Sequence, residues 1–181
     1  MKKSNFWSEA SRGGAIIGLV GIAFALLGML IPSVAFVFNL ASFVAFIYLL
    51  FHFTRSRAAL YTQEGFTYSQ SLGFIVAMAL FTGIVMGAYQ IVASNFLFTE
   101  KFEETLNQAI ATYSQMGVLD NATIDKMSSM MRNYIFSPIY VLISNVLSYI
   151  FYFAFLGLFI SIGTKREPDM FEQEDSSDDE E

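Results

Sequence analysis

The chain has 181 residues, 55% hydrophobic and 14% charged, with ten bases, sixteen acids and no cysteine. The length suits one domain. The lack of cysteine excludes disulfides, thiolate catalysis and Cys-ligated metal sites. Nine acids and no base occur from Glu167 onward, so the net charge of −6 resides in one terminus and the rest is mildly basic, with no patch suited to nucleic acid.

In chain order, Phe6 and Trp7 stand among Lys2, Lys3 and Arg12, an amphipathic approach whose aromatics suit the headgroup level. Between Arg12 and Arg55 there is no Asp, Glu, Lys or Arg. A single helix over that stretch would rise roughly 60 Å, about twice the hydrocarbon core of a bilayer. Two spans are therefore predicted, about residues 13–31 and 34–53, with a tight turn at Pro32-Ser33. A cleaved secretory leader ending at Ala35 is the competing reading, because Lys2-Lys3, the apolar run and Ser33-Val34-Ala35 imitate one. The run is longer than a leader needs, and Glu9 and Trp7 fit its basic head badly, so retention is predicted.

Two further runs lack charge, between Glu64 and Glu100 and between Arg132 and Lys165. Thr67-Tyr68-Ser69-Gln70 has capping-box spacing and opens span 3, about residues 69–93. Ser137-Pro138 pairs an N-cap with an N1 proline and opens span 4, about residues 138–162. In the insert at 95–136, Phe98, Phe102, Leu106, Ala109, Ile110 and Tyr113 form one helical stripe. Ile124, Met127, Met130, Met131 and Tyr134 form a second, and Gly117 is a stop between them. Runs this uniformly apolar do not alternate as membrane β-strands do.

The predicted fold is an all-α integral membrane protein. Four transmembrane helices and a two-helix amphipathic extracytoplasmic insert between spans 3 and 4 fill residues 1–166, and 167–181 form a disordered acidic tail. Lys and Arg in the short flanks (Arg12, Arg55, Arg57, Lys165 and Arg166, with Lys2 and Lys3) place both termini in the cytoplasm and the insert outside.

Three motifs carry a resemblance. They are Phe6-Trp7 with Glu9 and Ala10 before the glycine-rich first span (Gly13, Gly14, Gly18, Gly21), Gly65-Phe66-Thr67-Tyr68-Ser69-Gln70 ahead of span 3, and the insert closing at Ser137-Pro138. In these the chain resembles the bacterial four-span domain-of-unknown-function family numbered 4199, found mostly in Bacteroidota. The acidic tail, and the lack of a proline near Phe98-Thr99, depart from that pattern. The resemblance implies a four-span fold in the bacterial inner membrane and supplies no catalytic residues.

Chemistry-bearing residues are few. His52 is the sole histidine and could relay protons. Its position beside Phe51, Phe53 and Arg55 is ordinary for an interfacial side chain. Asn39, Gln90 and Asn145 lie in or near spans, and such amides more often hydrogen-bond between helices than line a pore. Gly14-x-x-x-Gly18 and Gly83-x-x-x-Gly87 permit close helix approach, within the chain or between copies. Met127, Met130 and Met131 offer thioethers for Cu(I) but have the spacing of a buried stripe. Asn121-Ala122-Thr123 has glycosylation-acceptor form, and in a bacterial chain it is only a cap sequence. Trp7, Arg12, Arg55, Arg57, Lys165 and Arg166 are predicted interface anchors.

No nucleophile–base pairing, zinc-protease helix, paired intramembrane aspartates or phosphate loop is present, so no catalytic, metal or cofactor site is predicted. Partners are the bilayer and either a second copy or a membrane complex. The function expected is a non-catalytic structural or accessory component. A small oligomeric channel or permease is the alternative, weakened by the lack of a deep charge in any span.

Overall fold

The computed structural model describes residues 5–61, 64–116 and 120–166, so Lys2, Lys3, Gly117 and the acidic tail lie outside the described residues. Among the described residues six α-helices follow one another: α1 Phe6–Leu30, α2 Ala35–Ala58, α3 Tyr68–Val92, α4 Thr99–Gln115, α5 Asn121–Phe136 and α6 Pro138–Thr164. No β-strand occurs among the described residues. Four stretches, Phe6–Leu30, Pro32–Ala58, Tyr68–Leu97 and Pro138–Thr164, are long and apolar enough to cross a bilayer.

Helix α1 begins well ahead of Gly13, because Asn5 caps it by accepting from the Trp7 amide at 3.3 Å. Proline at 32 ends α1 and opens a single 3₁₀ turn, Pro32–Val34, which reverses the chain into α2. Helix α3 does not stop at Val92. It loosens into a π-helical turn, Ala93–Leu97, where the Phe98 amide donates to the Ala93 carbonyl at 2.8 Å. Pro138 at N1 starts α6 directly after α5.

Helix α3 is the axis of the bundle and packs most extensively on α6, then on α1. The glycine neighbours give the directions. Gly14 and Gly18 meet Met78, Phe81 and Val85, so α1 and α3 run parallel. Gly83 and Gly87 meet Val146 and Leu142, so α3 and α6 run antiparallel. Ile17, Leu50, Phe74, Ile75, Met78, Ala79 and Phe153 form the buried centre, none more than 1% exposed.

The insert folds as two helices at the end of the bundle opposite Phe6. Leu106 on α4 is 1% exposed, whereas Glu103, Glu104, Gln108 and Asp125 are exposed and Met127 is half-buried. The Lys101 ammonium donates to the Met29 carbonyl at 3.0 Å. Helix α1 has no basic residue in its own last turn, so α4 supplies the cation that its C-terminal carbonyls attract. An exposed Arg132–Glu103 pair at 3.5 Å ties α5 to α4 and adds little energy.

Candidate functional site

The end of the bundle where α1 begins and α2 ends holds the most enclosed charge among the described residues. Arg57 lies in the last turn of α2 and is 6% exposed. One guanidinium nitrogen pairs with the Glu9 carboxylate on α1, and the other donates to the Tyr61 hydroxyl at 3.0 Å. The guanidinium also lies 4.9 Å from the ring centres of both Phe6 and Phe74, and 5.6 Å from that of Tyr61. Rings from α1, α3 and the segment after α2 thus surround one cation. Weak hydration makes arginine the base suited to such a place. The sequence reads Arg57 as an interface anchor, whereas the structure buries it between helices. Glu9 as its counter-ion was not foreseen, and the 48 residues separating the pair give no local signal.

Beside Arg57 opens a cleft of about 310 Å³ between α1 and α2, with Arg12 and Ser56 at its rim and Ile16, Phe53 and Leu60 along its wall. Arg12 and Ser56 are exposed, and neither makes a side-chain hydrogen bond or ion pair with another described residue. Arg55 does not line the cleft; it lies 5.9 Å over the Phe51 ring in a neighbouring groove with Tyr48 and His52, and Ser56 borders both. His52 stacks on Tyr48 at 6.1 Å and is exposed. Trp7 is 57% exposed and sits edge-on to Phe6 and Phe81.

Next to the cleft, the Gly65–Gln70 motif acts as a clamp. Gly65 takes φ 76°, a left-handed turn that a side chain would strain. It delivers Phe66 into the core at 2% exposure. Phe66 and Arg166 exchange two backbone hydrogen bonds of 2.8 Å, so Arg166 is held through its main chain while its side chain and that of Lys165 stay exposed. Thr67 and Gln70 form the reciprocal cap at 3.2 and 2.9 Å. The Ser71 and Thr164 hydroxyls, both buried, lie 2.7 Å apart. The start of α3 and the end of α6 are thereby fastened together.

The glycines lie at helix crossings. A Cβ on Gly14 would stand 2.5 Å from the Met78 carbonyl oxygen, and one on Gly83 would stand 2.6 Å from the Val146 Cα. One on Gly18 would meet Val85 at 2.8 Å, and one on Gly87 would meet Leu142 at 3.0 Å. Of the amides, Asn145 packs over the Gly83/Gly87 face but donates within its own helix, to the Val141 carbonyl at 2.9 Å. Asn39 is exposed on α2 and Gln90 half-buried on α3, and neither side chain hydrogen-bonds to another described residue. At the crossing of α1 and α3 the polar contact comes instead from Thr82, whose hydroxyl lies 3.0 Å from the carbonyls of both Gly14 and Met78. A threonine beside a glycine is the only sequence signal for it.

Met130 and Met131 line a groove of about 460 Å³ with Tyr134 and Tyr140, at the opposite end of the bundle from His52. Among the described residues no cluster of His, Cys, Asp or Glu is placed to hold a metal ion.

No curated protein and no solved structure matches the chain. A family profile does, over residues 12–166, a range that takes in α1 from Arg12 onward, the other three long helices, the insert and the Gly65–Gln70 clamp. The chain belongs to the family described as "Protein of unknown function (DUF4199)".

Proposed function

We propose that the protein is a non-catalytic structural or accessory component of a membrane complex, a four-span protein of the bacterial inner membrane with both termini cytoplasmic and the α4–α5 insert outside. One observation carries this reading. The three best-packed helices meet at backbone distance through Gly14, Gly83 and Gly87, and the described charges stand at the two ends of the bundle. Transport coupled to protons or sodium ordinarily needs an ionisable group within the span. Orientation is supported by charge. The described residues at the Arg57 end comprise five bases and two acids, and those of the insert comprise three bases and five acids.

Three experiments test the reading. Purification from native membranes in mild detergent should bring down a stoichiometric membrane partner, and proteoliposomes should show no solute flux above protein-free vesicles. Selective flux without a partner would overturn it in favour of a channel. Reporter fusions at Arg57 and after Arg166 should read cytoplasmic and one at Asp120 extracytoplasmic. The reverse would overturn the orientation.

A further inference from the structure

We propose that the cleft between α1 and α2 binds the phosphodiester headgroup of an acidic phospholipid, with Arg12 as its direct contact. This rests on the chain residing in a bilayer and not on its accessory role.

The charge of the cleft is unbalanced. Glu9 is committed to Arg57, which leaves Arg12 at the rim without a partner among the described residues and a net single positive charge among the three. A phosphodiester carries one negative charge and presents two oxygens that match a guanidinium fork. Ser56, also at the rim and without a described partner, supplies a hydroxyl donor. Behind them the buried Arg57, paired with Glu9, is balanced in charge and, fixed by Tyr61 and the rings of Phe6 and Phe74, gives the cleft a rigid polar back.

The wall favours a lipid over a free anion. Ile16 lies one helical turn deeper than Arg12, and Phe53 one turn deeper than Arg57. With Leu60 they give the cleft an apolar side running from the rim towards the spans. A water-soluble phosphate has no use for such a wall, whereas an acyl chain lies along it. Basic pockets between spans near a membrane surface recognise anionic headgroups in this way.

The test measures lipid selectivity on the full chain reconstituted in phosphatidylcholine vesicles, using spin-labelled phosphatidylglycerol and spin-labelled phosphatidylcholine as probes. The wild-type chain should retain phosphatidylglycerol about fivefold more strongly, the scale set by one basic side chain near a membrane surface. Arg12→Gln should bring the two lipids close to parity. Arg55→Gln removes the same charge from the same end but outside the cleft, and should change selectivity less than about twofold, the residue of general surface attraction. Arg12 and Arg55 are both exposed and neither has an ion pair among the described residues, so both variants should melt like the wild type. Equal losses in the two variants would reduce the effect to surface charge and overturn the site. So would a wild-type chain that does not discriminate between the lipids. Displacement of the labelled lipid by millimolar inorganic phosphate would overturn the lipid assignment in favour of a soluble anion. A chain that incorporates into vesicles without selecting lipid fails this proposal alone.

Discussion

Helices α2 and α3 are of nearly equal length and both are apolar along most of it, yet half of the most apolar stretch of α3 is buried against 11% for α2. The difference lies in side-chain size. Beside the large Phe74, Ile75 and Met78, helix α3 presents Ser71, Ala77, Ala79, Thr82, Gly83 and Gly87 to its neighbours, and at the glycines other backbones close on it from two sides. Helix α2 turns Phe36, Val37, Leu40, Phe43 and Val44 outward. In water such a surface would collapse onto something. In lipid it is already solvated, and hydrophobicity gives helices no reason to associate. Apolar content therefore selects which segments span, and small residues select which spans touch.

The sharpest way to break that comparison is to enlarge a small residue on α3. Gly83→Val must displace the Val146 backbone, because even a Cβ would stand 2.6 Å from it. The expected loss is on the order of 3 kcal/mol, at the upper end of overpacking effects. Thermal unfolding in detergent measures it, with Val44→Ala on α2 as counterpart. Val44 is 58% exposed, and its truncation should stay within about 0.5 kcal/mol. Equal effects would erase the distinction between the two helices.

Gly65→Ala asks whether the clamp at the foot of α3 depends on its left-handed turn. Forcing a side chain into φ 76° should cost about 1 kcal/mol and loosen the Phe66–Arg166 bridge. Faster hydrogen exchange at the Phe66 and Arg166 amides is the expected sign, and unchanged exchange would mean that the capping box alone fixes the turn.

Thr82→Val keeps the shape of α3 and removes its hydroxyl from the Gly14 carbonyl. A hydrogen bond between membrane helices averages about 0.6 kcal/mol, so the same melting assay should show a loss well below that of Gly83→Val. A loss as large as that variant's would make polar contact, rather than close approach, the main link between α1 and α3.

The smallest effect lies in the insert, where stability is local. Asp120 caps α5 by accepting from the Thr123 amide at 3.3 Å, and its bonds to Thr123 hold its carboxyl below the ordinary 3.8. Because the folded-state pKa is depressed, the cap contributes fully above the unfolded value and is lost as pH falls through the folded one. Hydrogen exchange in the first turn of α5 should therefore rise, relative to its intrinsic rate, only at pH below that of ordinary aspartate titration. Asp120→Asn, which keeps an acceptor, should abolish the pH dependence.

Much of this architecture is legible locally. Charge-free runs mark four spans, Thr67 with Gln70 marks the start of α3, and Ser137-Pro138 marks that of α6, since each signal sits within a few residues of the feature it sets. What depends on distant partners is not legible. Arginine at the end of an apolar run reads as an anchor, and only the convergence of Glu9, Phe6 and Phe74 on Arg57 turns it inward. Glycine spacing marks a flat face without naming the helix that will meet it. The Lys101 cap on α1 joins residues 72 positions apart and leaves no trace in either segment.

The most direct measurement is the lipid exposure of α2 and α3 side by side. The chain has no cysteine, so single-cysteine variants Val44→Cys on α2 and Ala79→Cys on α3 can carry spin labels without background. Val44 is 58% exposed and Ala79 fully buried. In native-like bilayers the label at position 44 should collide freely with oxygen dissolved in the lipid, and the label at position 79 should not. Protection at position 44 equal to that at position 79 would mean that α2 is covered by a partner rather than by lipid. Free collision at position 79 would contradict α3 as the buried axis of the bundle.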